Sequence, residues 1–263
     1  MRLEMITREP ETESHTTPIL FIHGAWHGAW CWDENYLSYF ASRGYSAHAV
    51  SLSGHGGSKG RKRLFWTGIK DYIDDVAEAA GKLEKPPILV GHSMGGWVIQ
   101  KYLEKYPAPA VVLLAPIPVK GVLGFMLRIA RRHPLLSLKA LFTLNTYIVV
   151  GNPDLAREWF FSADMQREKV VEYFQHLQSE SYLAVQETLF IALPKPQRVR
   201  KTPMLVLGAA NDKIFTVEEE RKTADAYGAR FEVFPDMAHD MMLEDGWKDV
   251  ADKIIAWLQE QGL

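Results

Sequence analysis

The sequence predicts an α/β protein with a mostly parallel central sheet flanked by helices. Three observations predict it. Short apolar runs alternate with helical patterns along the chain, each polar motif follows directly on one of those runs, and 263 residues are enough for one large domain. That domain is read as residues 1–263.

The apolar runs are Ile19 to Ile22, Ala47 to Leu52, Ile88 to Val90, Val111 to Leu114, Met204 to Leu207 and Phe231 to Phe234. Each is too short for a helix and apolar enough for a strand buried on both faces. Met1 to Arg8 is expected to add an edge strand. Helical patterns lie between them, at Trp32 to Ser42, Ile69 to Leu83, Trp97 to Lys105, Val217 to Tyr227 and Trp247 to Gln259. The rhythm breaks between the strand ending near Ala115 and the strand starting near Pro203, where the periodicity is helical and no strand is expected. Residues 119–195 are therefore read as a helical insertion within the domain.

Composition narrows the function classes. Hydrophobic residues at 47% and charged residues at 24% are ordinary for a folded globular protein. Lys plus Arg number 30 against 32 Asp plus Glu, a formal charge of −2 without the basic surplus that nucleic acid binding requires. Nucleic acid is not an expected partner. The single cysteine, Cys31, can form neither an intramolecular disulfide nor a Cys-ligated zinc site, and it fits a reducing compartment. Glu4, Glu9, Glu11 and Glu13 interrupt the N-terminus where an export signal would need apolar residues, so a cytoplasmic location is expected. The stretch from Ala108 to Val150 is apolar, but its prolines and cations leave no charge-free window of about 18 residues that could span a membrane. From Ile117 to Val150 it carries five basic residues and no Asp or Glu.

The strongest local signal is Gly91-His92-Ser93-Met94-Gly95-Gly96, directly after one predicted strand and before a predicted helix. This is Gly-x-Ser-x-Gly in strand-turn-helix context. A nucleophile at so sharp a turn has a strained backbone, and glycines two before and two after it avoid clashes between strand and helix. A serine hydroxyl is a weak nucleophile at neutral pH, so it requires a histidine base and a carboxylate that orients the histidine. Asp212 follows the strand Met204 to Leu207 in a polar loop, and His239 follows the strand Phe231 to Phe234. Both sit at strand C-terminal ends, where α/β sheets place their sites. Asp236 and Asp240 compete with Asp212; its position after the strand favours Asp212. His23, His27, His55 and His92 compete with His239 and are read as loop-fixing hydrogen-bonding residues. The glycine-containing run His23 to Trp30 could bring a backbone amide beside the nucleophile, and Met94 N–H at the helix start could supply a second donor. Trp26 is read as a substrate contact, whereas Trp30, Trp32 and Trp97 are read as core. No recognisable spacing of three metal ligands is present, and neither metal nor cofactor is expected.

Taken in order, HGAWHGAW, Gly54-His55-Gly56-Gly57-Ser58, GHSMGG, GAAND and MAHD resemble the α/β-hydrolase superfamily over essentially the whole chain. The resemblance implies the α/β-hydrolase fold with 119–195 as a helical cap, a triad of Ser93, Asp212 and His239, and an oxyanion hole made by the Ala25 and Met94 amides. It also implies a serine esterase or lipase acting on a small-molecule ester with a small to medium apolar acyl group. The run HGAWHGAWCW looks most like the plant methylesterase and hydroxynitrile lyase branch. A lyase acting on a carbon-carbon bond is thus the alternative, with a non-catalytic small-ligand receptor as a third reading. Hydroxynitrile lyases of this type carry threonine where this chain has Gly24 and lysine where it has Asp240. Glycine should leave room for acyl group and water, and an aspartate after His239 should repel cyanide; both favour ester hydrolysis. The basic, apolar cap segment is expected to cover an apolar tunnel and to make at most weak contact with a membrane surface, against the reading that its cations are merely solvated.

Overall fold

The computed structural model describes residues 2–12 and 15–263, so Met1 of the expected edge strand and Glu13 lie outside the described residues. Seven strands form one sheet: β1 (Glu4–Arg8), β2 (Ile19–Ile22), β3 (Ala47–Ser51), β4 (Ile88–His92), β5 (Val111–Leu114), β6 (Met204–Ala209) and β7 (Arg230–Phe234). Their spatial order is β1-β3-β2-β4-β5-β6-β7. Only the edge strand β1 runs antiparallel, pairing Glu4 with Ser51. The strands β2 to β6 are buried at every residue, as their unbroken apolar runs require.

In chain order the helices are α1 (Trp30–Asp33), α2 (Tyr36–Ser42), α3 (Ile69–Ala80), α4 (Met94–Tyr102), α5 (Leu123–Arg132), α6 (Pro134–Thr143), α7 (Pro153–Phe160), α8 (Arg167–His176), α9 (Tyr182–Gln186), α10 (Val217–Tyr227) and α11 (Trp247–Glu260). The pattern expected from Trp32 to Ser42 is two helices, because the chain leaves helical geometry at Asn35, where φ is −131°. The helix expected from Trp97 starts three residues earlier, at Met94. Gly95 and Gly96 are poor helix formers, but a Cβ at Gly95 would strike the Ile22 and His23 carbonyls and one at Gly96 would lie 2.8 Å from Pro116. Close packing of α4 on its neighbours, not propensity, selects glycine there.

Between β5 and β6 the described residues contain five α-helices, α5 to α9, and no strand. A turn of π-helix, Glu187–Ile191, follows α9. Among the described residues no helix is long and apolar enough to cross a membrane.

The sheet order places the site. From β2 the chain moves outward to β3 and then returns past β2 to β4, so connections leave the adjacent β2 and β4 in opposite directions. Such a switch point opens a crevice at the strands' carboxyl ends, where their two following loops face each other. Those loops are His23 to Trp30 and the turn at Ser93.

Candidate active site

Ser93 sits at the tip of the turn between β4 and α4 with φ 51° and ψ −114°, a backbone region costly for a residue with a Cβ. Its surroundings over-determine that geometry. Ser93 N–H donates to Leu114 C=O at 3.0 Å, and its carbonyl accepts from Ile117 N at 3.0 Å and Trp97 N at 3.2 Å. A Cβ at Gly91 would lie 2.8 Å from the Gly95 backbone, which accounts for the glycine two before the serine.

His239 follows β7, and its Nδ1 donates to Asp212 Oδ2 at 2.7 Å. The other Asp212 oxygen accepts from Ile214 N at 2.6 Å and Phe215 N at 3.1 Å, so the carboxylate is held from both sides. The His239 ring lies among His92, Phe215 and Phe160, with centroids 4.7, 5.5 and 6.2 Å away. No hydrogen bond joins Ser93 to His239 among the described residues; such contacts often tighten only around a bound substrate.

Ala25, Trp26, Ser93 and Met94 are among the residues that line a cavity of about 250 Å³. The Met94 amide is the first of α4 and has no helical acceptor. Like it, the Ala25 amide has no hydrogen-bond partner among the described residues. The sequence-expected donors and nucleophile therefore line the same cavity. Trp26 also lines it, at φ 65°. Trp32 and Trp97 are buried away from it, and half-buried Trp30 packs on Tyr173 and His176.

The remaining histidines tie the loops together. His27 donates from Nδ1 to Ala25 C=O at 2.8 Å and from Nε2 to Asp240 Oδ2 at 3.0 Å. Burial opposes its charge, but the Asp240 carboxylate and the Ala25 carbonyl outweigh burial and hold the pKa above 6.5. His92 Nε2 donates to the His239 carbonyl at 3.0 Å, and burial, followed by the nearby His239, depresses its pKa to about 3. A neutral, committed His92 is a support for His239. His23 Nδ1 donates to Gly24 C=O and its Nε2 accepts from Leu52 N–H, with burial keeping the ring neutral.

Two expectations need correction. Asp240 is committed to His27 and not to a departing group: it is fully buried and its Oδ2 accepts from His27 Nε2 at 3.0 Å. Gly24 leaves room for protein, since a Cβ there would lie 2.8 Å from His92 Nδ1 and 3.0 Å from Ser93 Cβ. In addition, His92, His239 and Asp240 bring three ligand-type atoms within 4.8 Å, a cluster invisible as sequence spacing. Its members are already bonded, His92 to His239 C=O, His239 to Asp212 and Asp240 to His27.

Sequence reasoning missed the polar groups contributed from the segment between β5 and β6. Glu180 is fully buried: Oε1 accepts from Tyr72 OH at 2.7 Å and Ser181 N at 2.6 Å, and Oε2 lies 3.1 Å from His55 Nε2 and accepts from Trp26 N at 3.4 Å. Burial raises its pKa, but His55 and these donors prevail and hold it below 4.5. Gln178 N donates to Trp26 C=O at 2.9 Å. No local motif marks Gln178 or Glu180, because their partners other than Ser181 N lie more than 100 residues away.

A family model described as "Alpha/beta hydrolase family" matches residues 19–253. The chain is 25% identical over 232 residues to a pyrethroid hydrolase of Sphingobium wenxiniae, covering 78% of this chain and 75% of that one. A methyl jasmonate esterase of Vitis vinifera is 30% identical over 97 residues, 36% of each chain. The crystal structure of an enol-lactonase from Burkholderia xenovorans superposes with a TM-score of 0.73 at 15% identity, covering 98% of this chain and 96% of that one, and shows the shared fold.

Proposed function

The chain belongs to the alpha/beta hydrolase family, and from that premise we propose that it is a serine hydrolase cleaving carboxylic esters through an acyl-enzyme. The observation that carries this reading is that Ser93, Ala25 and Met94 line one cavity, where Phe215 of the same lining packs on His239, whose Nδ1 lies 2.7 Å from Asp212 Oδ2. Relatives named as hydrolase and esterase support the same reading.

In this mechanism Ser93 Oγ attacks the acyl carbon while His239 Nε2 takes its proton and Asp212 stabilises the imidazolium. The carbonyl oxygen becomes an oxyanion that accepts hydrogen bonds from Ala25 N–H and Met94 N–H. Collapse breaks the ester bond, His239 returns the proton to the departing alcohol, and a water activated by His239 hydrolyses the acyl-enzyme to the free acid. Both residues line a cavity already shaped by folding, so as oxyanion donors their amides need no reorganisation during reaction, and each is worth about a hundredfold or more in rate.

Residues 119–195 act as a cap that supplies the acyl side of the cavity. Val122, Phe125, Met126, Ile129, Val149 and Val185 are among its lining side chains. Apolar walls and about 250 Å³ suit small to medium apolar acyl groups. A panel of p-nitrophenyl esters from acetate to palmitate, run beside mandelonitrile, tests the reading. Hydrolysis peaking at short to medium chains with negligible cyanide release is expected. Efficient Ser93-dependent cyanide release without ester turnover would instead select the lyase.

A further inference from the structure

Helix α6 is, among the described residues, the one long helix of the cap segment with no buried residue, although Leu135, Leu136, Leu138, Leu141 and Phe142 make it predominantly apolar. An apolar helix in a globular protein is normally covered on its apolar surface. Here one side, through Ser137, Ala140 and Leu141, lines the cavity. The other side faces outward: Leu135 is 81% and Phe142 82% exposed, with Leu138 and, on α5, Leu127 half exposed. Clustered exposure of large apolar side chains marks an interaction surface.

Charge identifies the occupant. The segment from Ile117 to Val150 contains no Asp or Glu. Two of its cations are neutralised from other elements, Arg128 by Glu219 on α10 at 2.8 Å and Arg132 by Glu158 on α7. Lys120, Arg131 and Lys139 are exposed and have no ion-pair partner among the described residues. A second copy of this chain would bring the same cations against themselves. An anionic lipid surface answers both features, because acyl chains accept the leucines and phenylalanine while lipid headgroups neutralise the cations.

We propose that the outer face of α6, with the adjoining end of α5, docks on anionic lipid surfaces and sets the cavity beside the acyl chains of the interface. The inference is independent of the esterase reading, since binding is measured without turnover.

The test is co-sedimentation of the full chain with vesicles of phosphatidylcholine alone or mixed equally with phosphatidylglycerol, at low and high salt. Binding to the mixed vesicles is expected, weakened about tenfold or more by high salt or by leaving out the anionic lipid. Leu135→Ser with Phe142→Ser, and separately Arg131→Glu with Lys139→Glu, should each weaken binding about tenfold or more. Phe142→Trp gives a second readout that does not depend on losing the apolar face: its emission should shift to the blue and be quenched by brominated lipid. Absence of binding at low salt, or binding indifferent to both double variants, overturns the proposal. So does concentration-dependent dimerisation, in sedimentation velocity without lipid, that the Leu135→Ser and Phe142→Ser pair abolishes, because the covering surface is then a second copy.

Discussion

On its sheet side the cavity is bounded by loops held by hydrogen bonds from distant residues, whereas on its helical side it is bounded mainly by apolar side chains. The His23 to Trp30 loop is held by His27 to Asp240, by Glu180 to Trp26 N–H and by Gln178 N–H to Trp26 C=O. Helices α5 and α6 offer leucines, alanines and Phe142, with ion pairs from Arg128 and Arg132 as their tethers. In the proposed reaction the difference follows from what each wall would have to do. Amides aimed at a developing charge lose their effect when misplaced by about an ångström, so fixed hydrogen bonds suit them. Dispersion and burial are non-directional, so a wall made of them tolerates acyl chains of different shape.

The largest effect should come from the tied side. Ser93→Ala should lower kcat by about six powers of ten with the melting temperature preserved, and a fluorophosphonate should label wild type at Ser93. A label on another residue would move the nucleophile. Asp212→Asn should cost about four powers of ten, since the His239 tautomer is lost. Asp240→Asn should act mainly on stability, because Asp240 neutralises buried His27 and removal of one partner of such a pair costs about 3–5 kcal/mol.

Glu180→Gln sharpens the comparison further. The amide keeps the shape but weakens the charge-assisted bonds to Tyr72, His55 and Trp26 N–H, so kcat should fall about ten- to a hundredfold while KM stays within about twofold. A change confined to melting temperature would reduce Glu180 to a purely structural role. On the helical side, Ala130→Phe or Ala140→Phe should fill the cavity. Octanoate should lose about tenfold in kcat/KM relative to acetate, with little change in stability.

The smallest effect is a pH dependence of stability. Glu244 Oε1 accepts from Ser162 N at 2.6 Å, linking the residues after α7 to the His239 loop. Burial, partly offset by that bond, raises the Glu244 carboxyl to about 7. The folded state therefore retains a proton that the unfolded chain releases near 4.5, and this contribution to stability is lost as pH rises from 4.5 through about 7. Glu244→Gln should flatten the melting temperature over that window by a few degrees; an unchanged slope would show that the group does not titrate there.

Local pattern made much of this protein legible. Five buried strands and the half-buried β7 read directly as short apolar runs, α10 spans Val217–Tyr227 as its pattern predicts, and the Ser93 turn carries its own glycines. Each of these depends on contacts a few residues apart. The early start of α4 was not legible, because close packing of Gly95 and Gly96 overrides propensity there, and neither was the break at Asn35, whose side chain donates to the distant Met242 C=O at 3.1 Å. The cap's basic run also misled in part, since Glu158 and Glu219 neutralise Arg132 and Arg128 from distant sequence.

The sequence by itself determined the alternation of strand and helix, the strained serine turn, and the order of serine, aspartate and histidine, since periodicity and turn chemistry are local. Only the tertiary structure decided which carboxylate meets His239, that Asp240 belongs to His27, that Glu180 holds the Trp26 backbone, and that one face of α6 is left uncovered. Those outcomes depend on which residues become neighbours when a switch in sheet order brings β2 beside β4, and burial then decides which charges must be paired.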